Sequence, residues 1–104
     1  MFFKAKFNNV VDESLFDNNE IEQDYDSVLG KEIIRFKNHE FEVERNGEGF
    51  ITEITYCNQC VLTYNIEEIF IELIANLLNE DEFVTLVDSE GLEEDLTKND
   101  LFDM

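Results

Sequence analysis

Residues 50–78, FITEITYCNQCVLTYNIEEIFIELIANLL, hold most of the concentrated apolar mass of the chain, so any fold must be built on this stretch. Residues 50–65 are rich in Ile, Thr, Tyr and Val, which favours strand, but the run exceeds the usual strand length of about 3 to 10 residues. A break is expected at Asn58-Gln59, leaving two strands with Cys57 opposite Cys60 across a tight turn. A helix is predicted from there onward. Asn65 is placed to cap it, Glu68 to complete a capping box, and Tyr64 and Ile69 to form a hydrophobic staple. Ile66, Ile69, Phe70, Leu73 and Leu77 fall on one helical stripe, widened by Ile71, Ile74 and Leu78. Glu68, Glu72, Ala75, Asn76 and Asn79 make a thin polar side. So broad a stripe needs more cover than one sheet face gives. The terminal segments are expected to wrap it, with a second subunit as the alternative, so monomer and homodimer both stay open.

The remaining segments complete that core or surround it. Residues 1–11 read as a strand with Phe3, Ala5 and Phe7 on one face and Lys4 and Lys6 on the other. Residues 12–29 read as an acidic loop with one short helical turn, ended by Gly30. Residues 32–36 and 39–45 read as a hairpin turning at Lys37-Asn38. Its second strand alternates Phe41 and Val43 with Glu40, Glu42 and Glu44. Asn46-Gly47-Glu48-Gly49 is the strongest turn signal, since Asn-Gly suits two residues at positive φ. After the acidic turn at 80–82, residues 83–87 read as a short strand, and 88–104 as an acidic segment in which Leu92, Leu96, Leu101 and Phe102 could anchor a short helix. The expected architecture is α+β: an antiparallel sheet of about five strands packed on one main helix at about 66–79, all in a single domain, 1–104.

Charge is what narrows function. The chain carries 26 acidic residues against 7 basic ones, a net charge of −19. B-DNA carries about one charge per 1.7 Å, so this corresponds to roughly 32 Å of duplex, close to the diameter of about 30 to 35 Å expected for a folded chain of this length. Such a surface repels nucleic acid and anionic lipid and steers basic proteins toward itself. Residues 12–26 contribute −7 and residues 80–104 contribute −9, whereas 1–11 is the one basic segment, at +2. The chain is 43% hydrophobic with ten Phe, enough to fold around a core. No apolar run approaches the roughly 18 residues that span a bilayer, and the opening Met1-Phe2-Phe3-Lys4 is too quickly polar for a signal peptide. A cytoplasmic protein without direct contact to membrane or nucleic acid is expected.

Motifs for chemistry are weak. Cys57-x-x-Cys60 has only the distant His39 as a further zinc ligand of the usual kind. A redox pair would need a helix after the first Cys, where strand is predicted. Core or turn cysteines are the favoured reading, and His39 reads as a turn residue. No phosphate-binding loop or nucleophile elbow occurs, and neither Asp24-x-Asp26 nor Asp88-x-Glu90-Gly91 completes a calcium loop. No enzyme, cofactor or metal site is expected. The informative pattern is the carboxylates themselves. Residues two apart on a strand lie roughly 6.8 Å apart, near the phosphate spacing along a DNA strand, so Glu40, Glu42 and Glu44 would present three such charges in a row. The candidate partner-binding set is Asp12, Glu13, Asp17, Glu20, Glu22, Asp24 and Asp26; Glu40, Glu42 and Glu44; and Glu90, Glu93, Glu94 and Asp95.

In size, charge and single-domain α+β character the chain resembles the small acidic DNA-mimic proteins that phages and mobile elements direct against host defence, including anti-CRISPR and anti-restriction inhibitors. The resemblance implies an inhibitor that occupies the basic nucleic-acid-binding surface of a CRISPR effector or restriction enzyme in the host cytoplasm. It assigns no individual residue. The alternative expectation is an immunity protein or antitoxin that neutralises a basic nuclease toxin, in which an aromatic such as Phe16, Tyr25 or Phe102 would matter more than any single acid.

Overall fold

The computed structural model describes residues 2–28, 30–56 and 66–103. They form one seven-stranded antiparallel sheet and three short helices, in the order β1 (Phe2–Phe7), α1 (Leu15–Asn18), β2 (Glu22–Asp26), β3 (Lys31–Phe36), β4 (His39–Arg45), β5 (Ile51–Tyr56), α2 (Ile66–Asn76), β6 (Phe83–Asp88), β7 (Glu93–Thr97) and α3 (Lys98–Phe102). Across the sheet the strands run β2-β3-β4-β5-β1-β6-β7. β1 is therefore interior, flanked by β5 and β6, and the two strongly acidic segments supply the edges.

This corrects the expected five strands on one main helix. The acidic stretch read as a loop contains edge strand β2 as well as helix α1, and the C-terminal acidic segment contains edge strand β7 before α3. An edge strand next to solvent needs no apolar alternation. Glu22-Gln23-Asp24-Tyr25-Asp26 and Glu93-Glu94-Asp95-Leu96-Thr97 accordingly show none, and carboxylates on an edge discourage further chains from adding to it. The helix is also shorter than expected. α2 ends at Asn76, and Leu77 and Leu78 close it in a tight turn, their amides donating hydrogen bonds back to the carbonyls of Ile74 and Ala75.

The β3–β4 hairpin turns at Lys37-Asn38, both at positive φ (50° and 69°). In the next turn the positive φ falls on Gly49 (88°), not on the expected Asn-Gly pair. Asn46 acts through its side chain instead, Oδ1 accepting from the amides of Glu48 and Phe50 at 3.0 Å each. His39, read as a turn residue, is buried at the start of β4 on the core side.

One face of the sheet carries the core. Ala5, Ile34, Phe36, Phe41, Val43, Ile54, Val84, Leu86 and Leu96 point to it and meet Ile69, Phe70, Leu73, Ile74 and Leu77 of the α2 segment. The rings of Phe41 and Phe70 stack with centroids 5.6 Å apart. A shift in the β1–β6 register between Phe2 and Lys4 lets both Phe2 and Phe3 pack against this core. Ala75, placed on the polar side of the helix from sequence, is fully buried, because Phe16 of α1 and Leu101 of α3 join the same cluster. Phe16 of α1 and Leu101 of α3 thus add cover to the broad helical stripe. The expected break at Asn58-Gln59, the cysteine turn, the strand after it and the Asn65 and Tyr64 capping contacts lie outside the described residues.

Candidate functional site

Strand pairing places a second, open sheet face opposite the core, and no helix covers it among the described residues. A single register row crosses all seven strands: Asp24, Ile33, Glu42, Thr55, Lys4, Val87 and Glu93. The neighbouring row on one side holds Glu44, Glu53, Lys6, Thr85 and Asp95, and on the other Glu22, Arg35 and Glu40. With strands about 4.8 Å apart the face is roughly 29 Å wide, which matches the extents of 35 × 33 × 27 Å.

The row Glu40, Glu42 and Glu44 is present on β4 as expected, but it is not bare. The charges alternate in stripes. Acids on β2 (Glu22, Asp24, Asp26) are followed by bases on β3 (Lys31, Arg35), acids on β4 and β5, bases on β1 (Lys4, Lys6), and acids on β7 (Glu93, Asp95). Arg35 lies 2.9 Å from Asp24 and 3.6 Å from Glu40, Lys31 3.2 Å from Glu42, Lys4 3.6 Å from Glu53, and Lys6 3.1 Å from Glu93. The Asp24 carboxyl is held below its ordinary pKa by the Tyr25 amide and by Arg35. Asp95 accepts from the Thr85 hydroxyl at 2.6 Å. Glu53 was absent from the expected set, and only its pairing with Lys6 and Glu44 reveals it.

The other expected residues fall elsewhere. Glu94 projects from edge strand β7 on the side opposite Glu93 and Asp95, and Glu90 sits in the β6–β7 turn. Asp12, Glu13, Asp17 and Glu20 belong to the crossing from β1 to the far edge strand, fastened by buried Val11, Phe16 and Ile21. Of these, Asp12 is spent locally: it accepts from the Ser14 hydroxyl at 2.6 Å and amide at 3.0 Å, which lowers its pKa. Glu13 is spent on Arg45. That guanidinium uses its whole donor fork, with Nε and Nη2 on Glu32 at 2.6 and 2.8 Å, Nη1 and Nη2 on Glu13 at 3.0 and 2.7 Å, and Nη1 also on the Gly49 carbonyl at 2.6 Å. The hydrogen bond from Arg45 holds the Glu13 carboxyl below its ordinary range. This cluster ties the crossing segment, β3, β4 and the turn before β5 together. It is structural, and Glu13, though partly exposed, is committed to it.

Every basic side chain is engaged within the molecule. Six pair with carboxylates, including Lys37 with Glu72 at 2.7 Å, and Lys98 donates to the Leu78 carbonyl at 3.0 Å, supplying positive charge at the end of α2. The open face carries nine carboxylates against four cations, so most of the surplus negative charge lies around it, on the turns, the helices and the edges. Among the described residues no group of His, Cys, Asp and Glu is placed to hold a metal ion, and no helix is long and apolar enough to cross a membrane. Comparison with protein families, with curated proteins and with solved structures finds no match to this chain.

Proposed function

We propose that the protein is a competitor of nucleic acid: it occupies the basic groove of a nucleic-acid-binding protein of host defence, such as a CRISPR effector or a restriction enzyme, in the cytoplasm. The observation that carries this reading is that all seven cations are satisfied internally while the surplus carboxylates are not. A partner therefore meets an anionic surface in which hydrogen-bonded strands fix the spacing of the face and edge-strand carboxylates, while the others project from turns and helices around them. A basic groove that normally binds phosphates can exchange its counterions for these carboxylates. Within the expected set, the carboxylates best placed for this are those with no cation beside them among the described residues: Asp17 and Glu20 near the β2 edge, Glu44 on the open face, and Glu90 and Glu94 near the β7 edge.

The test is salt-dependent binding to the partner recovered from host cells, with wild type compared to a Glu44→Gln, Glu90→Gln, Glu94→Gln variant. The proposal expects affinity to fall steeply with salt, and the slope of log affinity against log salt to become shallower in the variant. An affinity indifferent to both salt and neutralisation would overturn it.

A second reading, a protein that neutralises a basic nuclease toxin, is favoured by one observation. Tyr25 and Phe102 are 62% and 59% exposed, suited to anchoring a protein interface, whereas Phe16 is buried and drops out as an anchor. Alanine at Tyr25 and Phe102 distinguishes the two: a large loss of binding supports the toxin reading, while charge neutralisation dominates in the first.

A further inference from the structure

Among the described residues a groove of about 670 Å³ runs between α2 and α3, lined by Glu67, Glu68, Ile71, Glu72, Ala75, Leu101 and Phe102. Its construction follows from local chemistry. Thr97 caps α3 in a reciprocal box, its hydroxyl accepting from the Asp100 amide at 3.3 Å while the Asp100 carboxylate accepts from the Thr97 amide at 3.0 Å. That start to the helix sends Leu101 into the core at 2% exposure and leaves the adjacent Phe102 outside. Lys98 lies 5.9 Å from the centre of the Phe102 ring and is itself held by the Leu78 carbonyl. On α2, half-buried Ile71 makes the apolar floor, and Ala75, one turn on and itself buried, is small enough to leave room above it beside α3. Glu68 and Glu72, also one turn apart, form the rim with Glu67. Of these only Glu72 has a cation, Lys37.

An apolar floor under carboxylates, with no hydrogen-bond donor side chain among the described lining residues, suits neither an anion nor a neutral polar ligand. We propose that this groove seats a bulky apolar side chain of a basic protein segment, with flanking Lys or Arg on Glu67 and Glu68. The pairing is one of charge complementarity around an apolar anchor, the usual composition of an interface hot spot with its polar rim. The proposal rests on the reading that the partner is basic, but it adds a place on the molecule and a requirement for an apolar residue that charge mimicry alone does not make.

The test is titration of the whole protein with three synthetic peptides of equal length: an amphipathic Lys/Leu helix, a Lys/Ser peptide of the same charge, and a Glu/Leu control, followed by calorimetry and by NMR. The Lys/Leu peptide is expected to bind at least about tenfold more tightly than Lys/Ser and to shift the Ile71 and Leu101 methyls and the Phe102 ring. Phe102→Ala, at an exposed position, should bring the two basic peptides to near parity. Glu68→Lys should weaken both, and unchanged affinity there would overturn the role given to the rim. Equal affinity of the two basic peptides for wild type would overturn the groove while leaving the basic-partner reading intact. Failure of both to bind would remove the groove and count against that reading as well. Binding of the Glu/Leu control as tight as Lys/Leu would show an apolar site indifferent to charge and overturn the proposal.

Discussion

Arg45 joins three separate pieces of chain. Its partners come from the β1–α1 crossing, from β3 and from the turn before β5. A lysine there has one charge centre and cannot reproduce two bidentate carboxylate pairs. Arg45→Lys should therefore cost about 1–3 kcal/mol in denaturant unfolding, the range for charged hydrogen bonds that are only partly shielded from water. The sign of the pH effect follows from Glu13. Its folded pKa is lowered by the Arg45 hydrogen bond, so its contribution is complete above the ordinary value of 4.5 and is lost as pH falls through the lowered folded value. The stability gap between wild type and Glu13→Gln should be open at neutral pH and close under acid; a gap that stays constant down to about pH 3 would contradict the ion pair. Glycines make a second comparison. Gly49 has φ of 88° and open space around it, so Gly49→Ala should destabilise through backbone strain alone, by about 1–2 kcal/mol. Gly47, without positive φ, should accept Ala with little change. From the sequence the opposite assignment looks natural, because Asn-Gly is a strong turn signal whose geometry depends on which strand pairing closes the loop.

Among the elements, legibility followed burial. β4 was readable because one of its faces is core and the other is solvent, so apolar and acidic residues alternate without a break. β3 and β6 lack that alternation, and were readable as short β-branched and apolar runs bounded by turn residues. β2 and β7 were not, since an edge strand of Glu and Asp has the composition of a loop and is defined only by the strand it pairs with. The candidate site suffered similarly. The acids were visible in the sequence, but whether Glu42 is free or bound to Lys31 depends on register, which no local pattern fixes. The α2 cover was half legible: its broad stripe required extra partners, and Phe16 and Leu101 provide them. At this scale the capping box of α3 makes the sharpest prediction. Thr97→Ala removes the hydroxyl acceptor and should cost about 1 kcal/mol. The loss should appear as faster hydrogen exchange at Leu101 and Phe102, with the amides of β1 and β5 unchanged.

For the whole molecule the dominant quantity is 19 net negative charges on a body with a radius of gyration of 12.9 Å. Salt should act in opposite directions on the fold and on the proposed complex. Between about 0.01 and 1 M the screening length falls from roughly 30 Å, the size of the protein, to 3 Å, less than the gap between adjacent strands. Self-repulsion fades over that range, so the thermal midpoint should rise, by roughly 4–8 °C for each kcal/mol of repulsion relieved. A midpoint that falls with salt would mean that the internal ion pairs outweigh the surplus charge. Binding to a basic partner should weaken over the same range, because counterions then compete with the carboxylates. The most direct measurement of the central claim is release of a captured host partner from the immobilised protein by nucleic acid at constant low salt. If the carboxylates stand in for phosphates, the partner's own DNA or RNA ligand displaces it in proportion to occupancy. A stable ternary complex, with partner, nucleic acid and this protein bound together, would contradict the claim.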